Sequence, residues 1–301
     1  MTFRRFLLPV ACLLACATVS LAQQARPLRI FLRGGAKTHG PAGNGLHDHE
    51  RWLNDWKKLL AERGAAVDGG MNFPNAAQLE KTDVLVMFAA EAGSIAGADR
   101  ENFEKFLKHG GGIVCIHDAV CGTNAQWFKT IIGGAWEHGY SKWFEGDMSL
   151  YYVDNQHPIS SGCSNFDMDD EVYWDLHLMP EAHILAASWA PDKRNTRNGR
   201  QFPHIYDIIP QMWTYENSYG GSPYRAFVSI PGHKYKSFEL PHYRAVLLRG
   251  IAWAGKRDVD SLCRKEELAT LRYPEGGPTA PEKAAAKLEV HPEFNISLVA
   301  A

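Results

Sequence analysis

Histidines follow several apolar segments of this sequence at the points where those segments end. Three such positions are His47, His117 and His233, and a fourth histidine, His138, lies in the loop 136–140. A neutral imidazole is the commonest metal ligand in proteins and also an acid or base near neutral pH. A lone histidine usually has only a structural role, so it is the grouping at strand ends that suggests function. The pattern predicts a site for a divalent metal such as zinc, held by these four histidines.

Acidic and aromatic residues could complete such a site. Glu171, in an Asp-Asp-Glu run, could act as a general base or a ligand, although a solvated turn would have the same sequence. We predict His117, Glu171 and His233 as the catalytic residues. Aromatic rings can stack on a sugar ring, but most aromatics belong to the core, so only one or two should line a cleft. The predicted substrate-binding residues are His47, Asp118, Trp136, Tyr140 and Trp213.

These residues need a framework that brings strand ends together. The segments 84–88 and 113–116 are unbroken apolar runs, which are typical of strands buried on both faces of a parallel sheet. Amphipathic helical patterns alternate with them, one after Asp48, one capped by Asp99 and a last one from Pro241. The alternation predicts a doubly wound α/β fold with helices on both faces. At the carboxyl edge of such a sheet, the loops that carry the histidines meet.

Two common chemistries of α/β folds do not fit the residues at the strand ends. A hydrolase or glutaminase elbow would place a Ser or Cys nucleophile between glycines after a central strand. Here His117 takes that place, and Cys115 lies within the strand. The triple glycine at 110–112 precedes its strand, so it does not form a phosphate-binding loop. We therefore expect neither a glutamine amidotransferase nor a nucleotide cofactor.

The composition excludes further classes of function. The chain has 301 residues, of which 45% are hydrophobic, with 32 Lys and Arg against 34 Asp and Glu. This length supports a sizeable core. The balanced charge argues against nucleic-acid binding and against a polybasic membrane patch.

The N-terminus has the pattern of a secretory signal peptide. Two arginines precede an apolar stretch that ends in small residues at Ala22. We expect residues 1–22 to be removed, which leaves a periplasmic or secreted protein with no membrane span. Lipidation at Cys16 is the alternative, because the residues before it resemble a lipobox. Export would permit disulfides among the four remaining cysteines, but the sequence does not fix their pairing.

The hydrophobic periodicity divides the rest of the chain. It continues to about Gly255, and a stretch rich in Pro and Gly follows it. We therefore assign residues 23–255 to the α/β domain and 256–301 to a linker and C-terminal tail, which we expect to be dispensable for folding.

Several motifs together resemble the ThuA-like family, named for trehalose utilisation. They occur in a consistent order across residues 28–255, as Lys37–Gly40, Gly45–Asp48, Gly110–His117, Ile132–Trp136, His157–Ile159, Asp170–Trp174, Met212–Thr214, Arg225–His233 and Leu248–Trp253. The resemblance implies a flavodoxin-like, mostly parallel sheet of the class I glutamine amidotransferase-like superfamily, without the amidotransferase cysteine. It also implies a role in carbohydrate metabolism, with a small-molecule carbohydrate as substrate. His49 departs from the aromatic residue expected after the His-Asp pair, which favours His47 over it as a site residue.

The tail carries a second resemblance. Residues 290–300 are similar to the opening of a sugar-dehydrogenase-like propeller, which suggests a sugar dehydrogenase or haem-protein partner. Two hypotheses follow. The first is an exported enzyme that hydrolyses or isomerises a sugar or an oxidised (keto) glycoside with the help of a metal. The second is a non-catalytic sugar-binding module that serves a dehydrogenase.

Overall fold

The computed structural model describes residues 26–191 and 206–273, together with residues 196–197, 200–201, 283 and 297. The predicted signal peptide, its alternative lipidation site Cys16 and nearly all of the tail after residue 273 lie outside the described residues. The strands in chain order are β1 (Arg29–Gly34), β2 (Ala66–Gly70), β3 (Val84–Phe88), β4 (Gly112–Ile116), β5 (Gly134–Ala135), β6 (Lys142–Tyr152), β7 (Phe166–Trp174), β8 (His177–Leu178), β9 (His183–Pro191), β10 (Thr196–Arg197), β11 (Arg200–Gln201), β12 (Tyr206–Tyr219) and β13 (Ser222–Ser229).

A nine-stranded sheet in the order β2-β1-β3-β4-β13-β12-β9-β6-β7 forms the centre of the molecule. The first five strands in this order are parallel to one another. Each residue of β3 and β4 is buried, as expected for strands covered on both faces. The prediction of a doubly wound α/β fold is confirmed.

The sheet continues beyond β13 as an antiparallel extension. Strand β12 pairs antiparallel with both β13 and β9, and β6 pairs antiparallel with β9 and β7. In β6 only Met148 and Leu150 are buried, whereas the last five residues of β7, Asp170–Trp174, are all buried, so the C-terminal end of β7 is covered on both faces. The sequence pattern did not reveal this extension.

Helices cover both faces of the parallel half. The helices are α1 (His49–Glu62), α2 (Ala76–Glu80), α3 (Gly97–Lys108), α4 (Ala125–Ile132), α5 (Pro241–Ala254) and α6 (Lys265–Thr270). The sheet lies between two hydrophobic core clusters. Helices α1 and α5 contribute to the cluster on one face, and α3 and α4 contribute to the cluster on the other. Asp48 precedes α1, but its side chain accepts hydrogen bonds from the backbone of Gly43 and Gly45 instead of capping the helix.

The predicted boundary at residue 255 is corrected by the packing that follows it. Leu262 and Leu271 are buried in the core cluster that contains α1 and α5. Glu267 on α6 forms ion pairs with Arg63 at the end of α1 and with Arg244 on α5. Hydrophobic periodicity missed this segment because only a few of its side chains reach the core. Residues 256–273 are therefore part of the folded domain.

Candidate functional site

Three histidines meet at the carboxyl edge of the parallel strands. His47 follows β1, His117 directly follows β4, and His233 follows β13. Strand β2 lies on one side of β1. Strands β3, β4 and β13 follow on the other side of β1, so the direction in which strands are added to the sheet reverses at β1. Loops at such a point form the usual ligand site of an open α/β sheet. The structure thus brings together the three histidines that were predicted to meet because each of them follows a strand.

The outer ring nitrogens of two of these histidines are anchored. His117 Nδ1 lies 2.8 Å from the carbonyl oxygen of Ile230. His47 Nδ1 lies 3.0 Å from a carboxylate oxygen of Asp118 and 2.6 Å from Thr38 Oγ1. The carbonyl of Ile230 only accepts hydrogen bonds, which places the proton of His117 on Nδ1, and the negative charge of Asp118 favours Nδ1 as the protonated nitrogen of His47. The Nε2 atoms of His47 and His117 then carry lone pairs that can accept a hydrogen bond or bind a metal.

These two lone pairs are directed into one small space. His47 Nε2 lies 2.9 Å from His117 Nε2 and 2.8 Å from His233 Nδ1. His233 can donate to His47, and the Tyr173 hydroxyl, 3.0 Å away, can donate to His117 Nε2. Neither donation supplies a proton to the contact between His47 Nε2 and His117 Nε2. Two unprotonated nitrogens repel each other at this distance, and a metal ion bound by both would relieve that repulsion.

The three histidines form a group that could hold a metal ion. Burial and the neighbouring imidazoles hold the pKa of His117 well below its usual range. Burial and the charge of His47 also lower the pKa of His233, to about 4. One ligand nitrogen from each of His47, His117 and His233 lies within 4.8 Å of the others. Neutral imidazoles whose second nitrogen is hydrogen-bonded are the arrangement that metal sites use.

The backbone at this site is strained. His47 and His117 have φ angles of 45° and 55°, in the left-handed region that residues with a Cβ rarely adopt. Each such residue costs on the order of 1–3 kcal/mol. The N–H of His47 donates to the carbonyl of His233 at 3.0 Å, which holds two of the three loops together. A Cβ on Gly232 would lie 3.0 Å from His117 Cβ, so this position requires glycine.

Carboxylates border the histidines on the β7 side. The Glu171 oxygens lie 3.5 Å from His117 Nε2 and 3.5 Å from His233 Nδ1. Burial, with the charges of Asp170 and Glu145, raises the pKa of Glu171 to about 8. Its neighbour Asp170 is fully buried and accepts hydrogen bonds from the backbone of Gly232, His233 and Glu171. Asp170 thereby fixes the strand that carries Glu171 to the loop that carries His233.

Asp118 and His49 form a second buried layer behind His47. Asp118 Oδ2 lies 3.4 Å from His49 Nε2 and contacts His47 as well, so one carboxylate borders both imidazoles. Burial alone would raise the pKa of Asp118, but its contacts with His47 and His49 hold the pKa well below its usual range. His49 Nδ1 lies 3.2 Å from the carbonyls of Gly35 and Ala36. Asp118, predicted to bind substrate, is placed to orient His47 instead.

Three other predicted residues lie away from the histidine cluster. His138, predicted as a ligand, is exposed and bonds Glu91 at 2.7 Å. Tyr140, predicted to bind substrate, is 52% exposed and stacks on His177. Trp213, also predicted to bind substrate, is fully buried and donates to the carbonyl of Ile132, which makes it a core residue. His138 belongs to a loop that does not follow one of the parallel strands, which is why its side chain points elsewhere.

Trp136 lies at the edge of the site. Its ring packs on Tyr173 with the ring centroids 4.6 Å apart, and Tyr173 in turn contacts His117. Trp136 is 9% exposed, and its Nε1 has no hydrogen-bond partner among the described residues. Sequence reasoning did not assign Tyr173 a role. Its position two residues after Glu171 on a strand, and therefore on the same face, was the available signal.

Two cavities matter for access. One of about 400 Å³ reaches His47 and His49 and is lined by polar groups that include Lys37 and Asp48. A larger one of about 740 Å³ lies at the amino edge of the sheet, around Asp83. That second cavity is remote from the histidines, and the Arg26 guanidinium that borders it is paired with Asp83.

The fold and the site together define a class of protein. It has a doubly wound α/β domain with a buried histidine cluster at the carboxyl edge of its parallel strands. Comparison with family models agrees with this class. The model of the ThuA family, described as trehalose utilisation, matches residues 42–254, more than two thirds of the chain. The chain therefore belongs to the ThuA family, and this membership indicates a carbohydrate-related role.

Solved structures show the same fold. A ThuA-like protein from Bacteroides uniformis is similar at 19% identity with a TM-score of 0.57, covering 76% of this chain and 92% of the other. A ThuA-like protein from Parabacteroides merdae is similar at 17% identity with a TM-score of 0.58, covering 84% and 95%. A comparison with functionally curated proteins found no match. Among the described residues, no helix is both long and apolar enough to cross a membrane.

Proposed function

We propose that this protein is a metal-assisted enzyme that hydrolyses or isomerises a small carbohydrate, either a sugar or an oxidised (keto) glycoside. The observation that carries this proposal is the 2.9 Å contact between His47 Nε2 and His117 Nε2, two nitrogens whose protons lie elsewhere. A divalent metal such as zinc would be held there by His47, His117 and His233. When bound, such an ion polarises a sugar carbonyl or hydroxyl oxygen.

The chain's own groups supply the acid–base chemistry. The Glu171 carboxyl is the acid–base group, because its oxygens lie 3.5 Å from two of the three histidines and within reach of a substrate oxygen held beside them. The Tyr173 hydroxyl points at the same space from 3.0 Å. Ile230 and Asp118 fix the imidazole orientations. The low exposure of these groups excludes bulk water from the reacting atoms.

The identity of the family and the character of the cavity support a carbohydrate as the substrate. The cavity beside His47 and His49 is about 400 Å³, within the size range of small-molecule sites, and most of the residues that line it have polar or charged side chains. Such groups pair with the hydroxyls of a sugar. The site offers no nucleophilic thiol, because Cys115 is fully buried and burial raises its pKa far above its usual value.

Export is part of the proposal. The signal-peptide pattern ending at Ala22 supports a periplasmic or secreted protein whose mature chain begins at Gln23. Intact-mass measurement of the exported protein tests this directly, and a lipid-modified Cys16 at the N-terminus would contradict it. The sugar dehydrogenase or haem-protein partner stays a prediction, since all but one of the residues 290–300 lie outside the described residues.

Product analysis on a panel of glycosides and 3-keto-glycosides tests the proposed reaction. We expect the wild-type protein to convert at least one of them, and His117→Ala and Glu171→Gln to lose that activity by a factor of about 100 or more. His138→Ala is the matched control, because this exposed histidine lies away from the cluster. Binding of a sugar without conversion of any compound would instead favour the sugar-binding module.

A further inference from the structure

Trp143 is a large apolar side chain that the fold leaves in solvent. It is 57% exposed, compared with 52% for Tyr140 and 48% for Tyr273. It lies on β6, in the antiparallel extension of the sheet. A single exposed tryptophan needs no explanation by itself. Trp143 does need an explanation, because the strand register places it next to the histidine site.

The register places Trp143 beside the site. Trp143 pairs with Tyr173 across β6 and β7, and Glu145 pairs with Glu171. Residues directly opposite each other in an antiparallel pair project from the same face, with Cβ atoms about 4.5–5.5 Å apart. Tyr173 and Glu171 both contact His117. The exposed indole is therefore one cross-strand step from the groups that border the histidines, on the same face of the sheet.

The surroundings of Trp143 are polar and charged. Glu145, two residues along the same face, forms an ion pair with Lys234 at 2.9 Å, and Lys234 also pairs with Asp169. Such charged neighbours are unfavourable for a protein interface core, which is depleted of charge. They suit a ligand that combines an apolar ring face with many hydroxyl groups. A pyranose ring has both, because its C–H groups can cover an indole while its hydroxyls reach the charged groups around it.

We propose that Trp143 is the stacking platform for a second sugar ring, linked to the ring that reacts at the histidine cluster. This inference rests on the proposed function and narrows its substrate class to glycosides with at least two rings. The buried Nε1–H of Trp136, which has no partner among the described residues, is a further free donor next to Tyr173. Trp143 is in this view a specificity residue, not a catalytic residue.

Binding measurements test this subsite without depending on turnover. The probes are two disaccharides, trehalose and cellobiose, and the single-ring methyl α- and β-glucosides, titrated into the full-length mature protein by calorimetry or by ligand-observed NMR. We expect Trp143→Ala to weaken binding of the preferred disaccharide about tenfold, equivalent to about 1.4 kcal/mol. Trp143→Phe, which keeps a ring, should recover most of this loss. Binding of the methyl glucosides should change less than about twofold.

Tyr273→Ala is the control for removing an exposed aromatic side chain, since Tyr273 is 48% exposed and belongs to the segment that follows α6. It should leave all affinities unchanged. Unchanged disaccharide affinity in Trp143→Ala overturns the proposal, and so does an equal loss for disaccharide and methyl glucoside. Failure of the wild-type protein to bind either disaccharide also overturns it. If the disaccharide result holds but no glycoside is converted, the proposed reaction fails and the subsite stands.

Discussion

Replacing Asp170 probes the contact that joins β7 to the His233 loop. Its carboxylate accepts the backbone N–H groups of Glu171, Gly232 and His233 at 2.8, 3.0 and 2.9 Å, and also the Ser237 hydroxyl. All of these groups are buried. In Asp170→Ala three buried N–H groups lose their acceptor, and each such loss costs about 1–3 kcal/mol. We therefore expect a loss of at least about 3 kcal/mol in the free energy of unfolding, taken from a total that is typically 5–15 kcal/mol.

Urea unfolding followed by tryptophan fluorescence measures this loss. Asp170→Asn keeps one acceptor oxygen and should cost only about 1 kcal/mol. Asp167→Ala is the matched control, because Asp167 is an exposed residue of the same strand that bonds Ser149, and its removal should cost less than about 0.5 kcal/mol. A loss for Asp170→Ala no larger than for Asp167→Ala would refute this reasoning.

Two further predictions concern the C-terminal segment and the site loop. Ion pairs with Arg63 and Arg244 hold the pKa of buried Glu267 at about 2, below its usual 4.5, despite its burial. This carboxylate therefore contributes about 3 kcal/mol above pH 4.5, and the contribution disappears as the pH falls through 2. Glu267→Gln should be destabilised by that amount at pH 7 in urea unfolding, with a gap to wild type that narrows below pH 4.5; a gap independent of pH would contradict this. Gly232→Ala should cost about 1–3 kcal/mol, because its φ of 144° and the contact with His117 both oppose a Cβ; unchanged stability and metal affinity would show that the loop has room to move.

The parallel half of the fold could be predicted because its elements are locally encoded. Unbroken apolar runs mark β3 and β4, and helical periodicity marks α1 and α5. The antiparallel extension could not be predicted in this way. The pairings of β6 with β9 and of β9 with β12 depend on contacts between distant parts of the chain. A pattern of alternating apolar and polar residues predicts a strand but does not specify which strand it pairs with.

The site shows the same division between local and non-local information. His47, His117 and His233 could be identified because residues that end parallel strands must meet at one edge. Tyr173 and Asp170 lie on β7, at the far end of the sheet order, and long-range hydrogen bonds, between Gln211 and the Tyr173 backbone and between His233 N–H and Asp170, hold them at that edge. Trp213 was misassigned because nothing local distinguishes a buried tryptophan from one that lines a cleft. The ion pairs of Glu267 are likewise long-range contacts.

Metal content of the purified wild-type protein is the most direct test of the central claim. His47 Nε2 and His117 Nε2 lie 2.9 Å apart, and a divalent ion bound by both is the central proposal. Elemental analysis should find about one transition-metal ion per chain after dialysis. His117→Ala and His47→Ala should lose it, while His138→Ala, which alters an exposed histidine elsewhere, should retain it. A wild-type protein that binds no zinc, manganese, iron, cobalt or nickel when these are supplied, or a His117→Ala protein with full occupancy, would contradict the account.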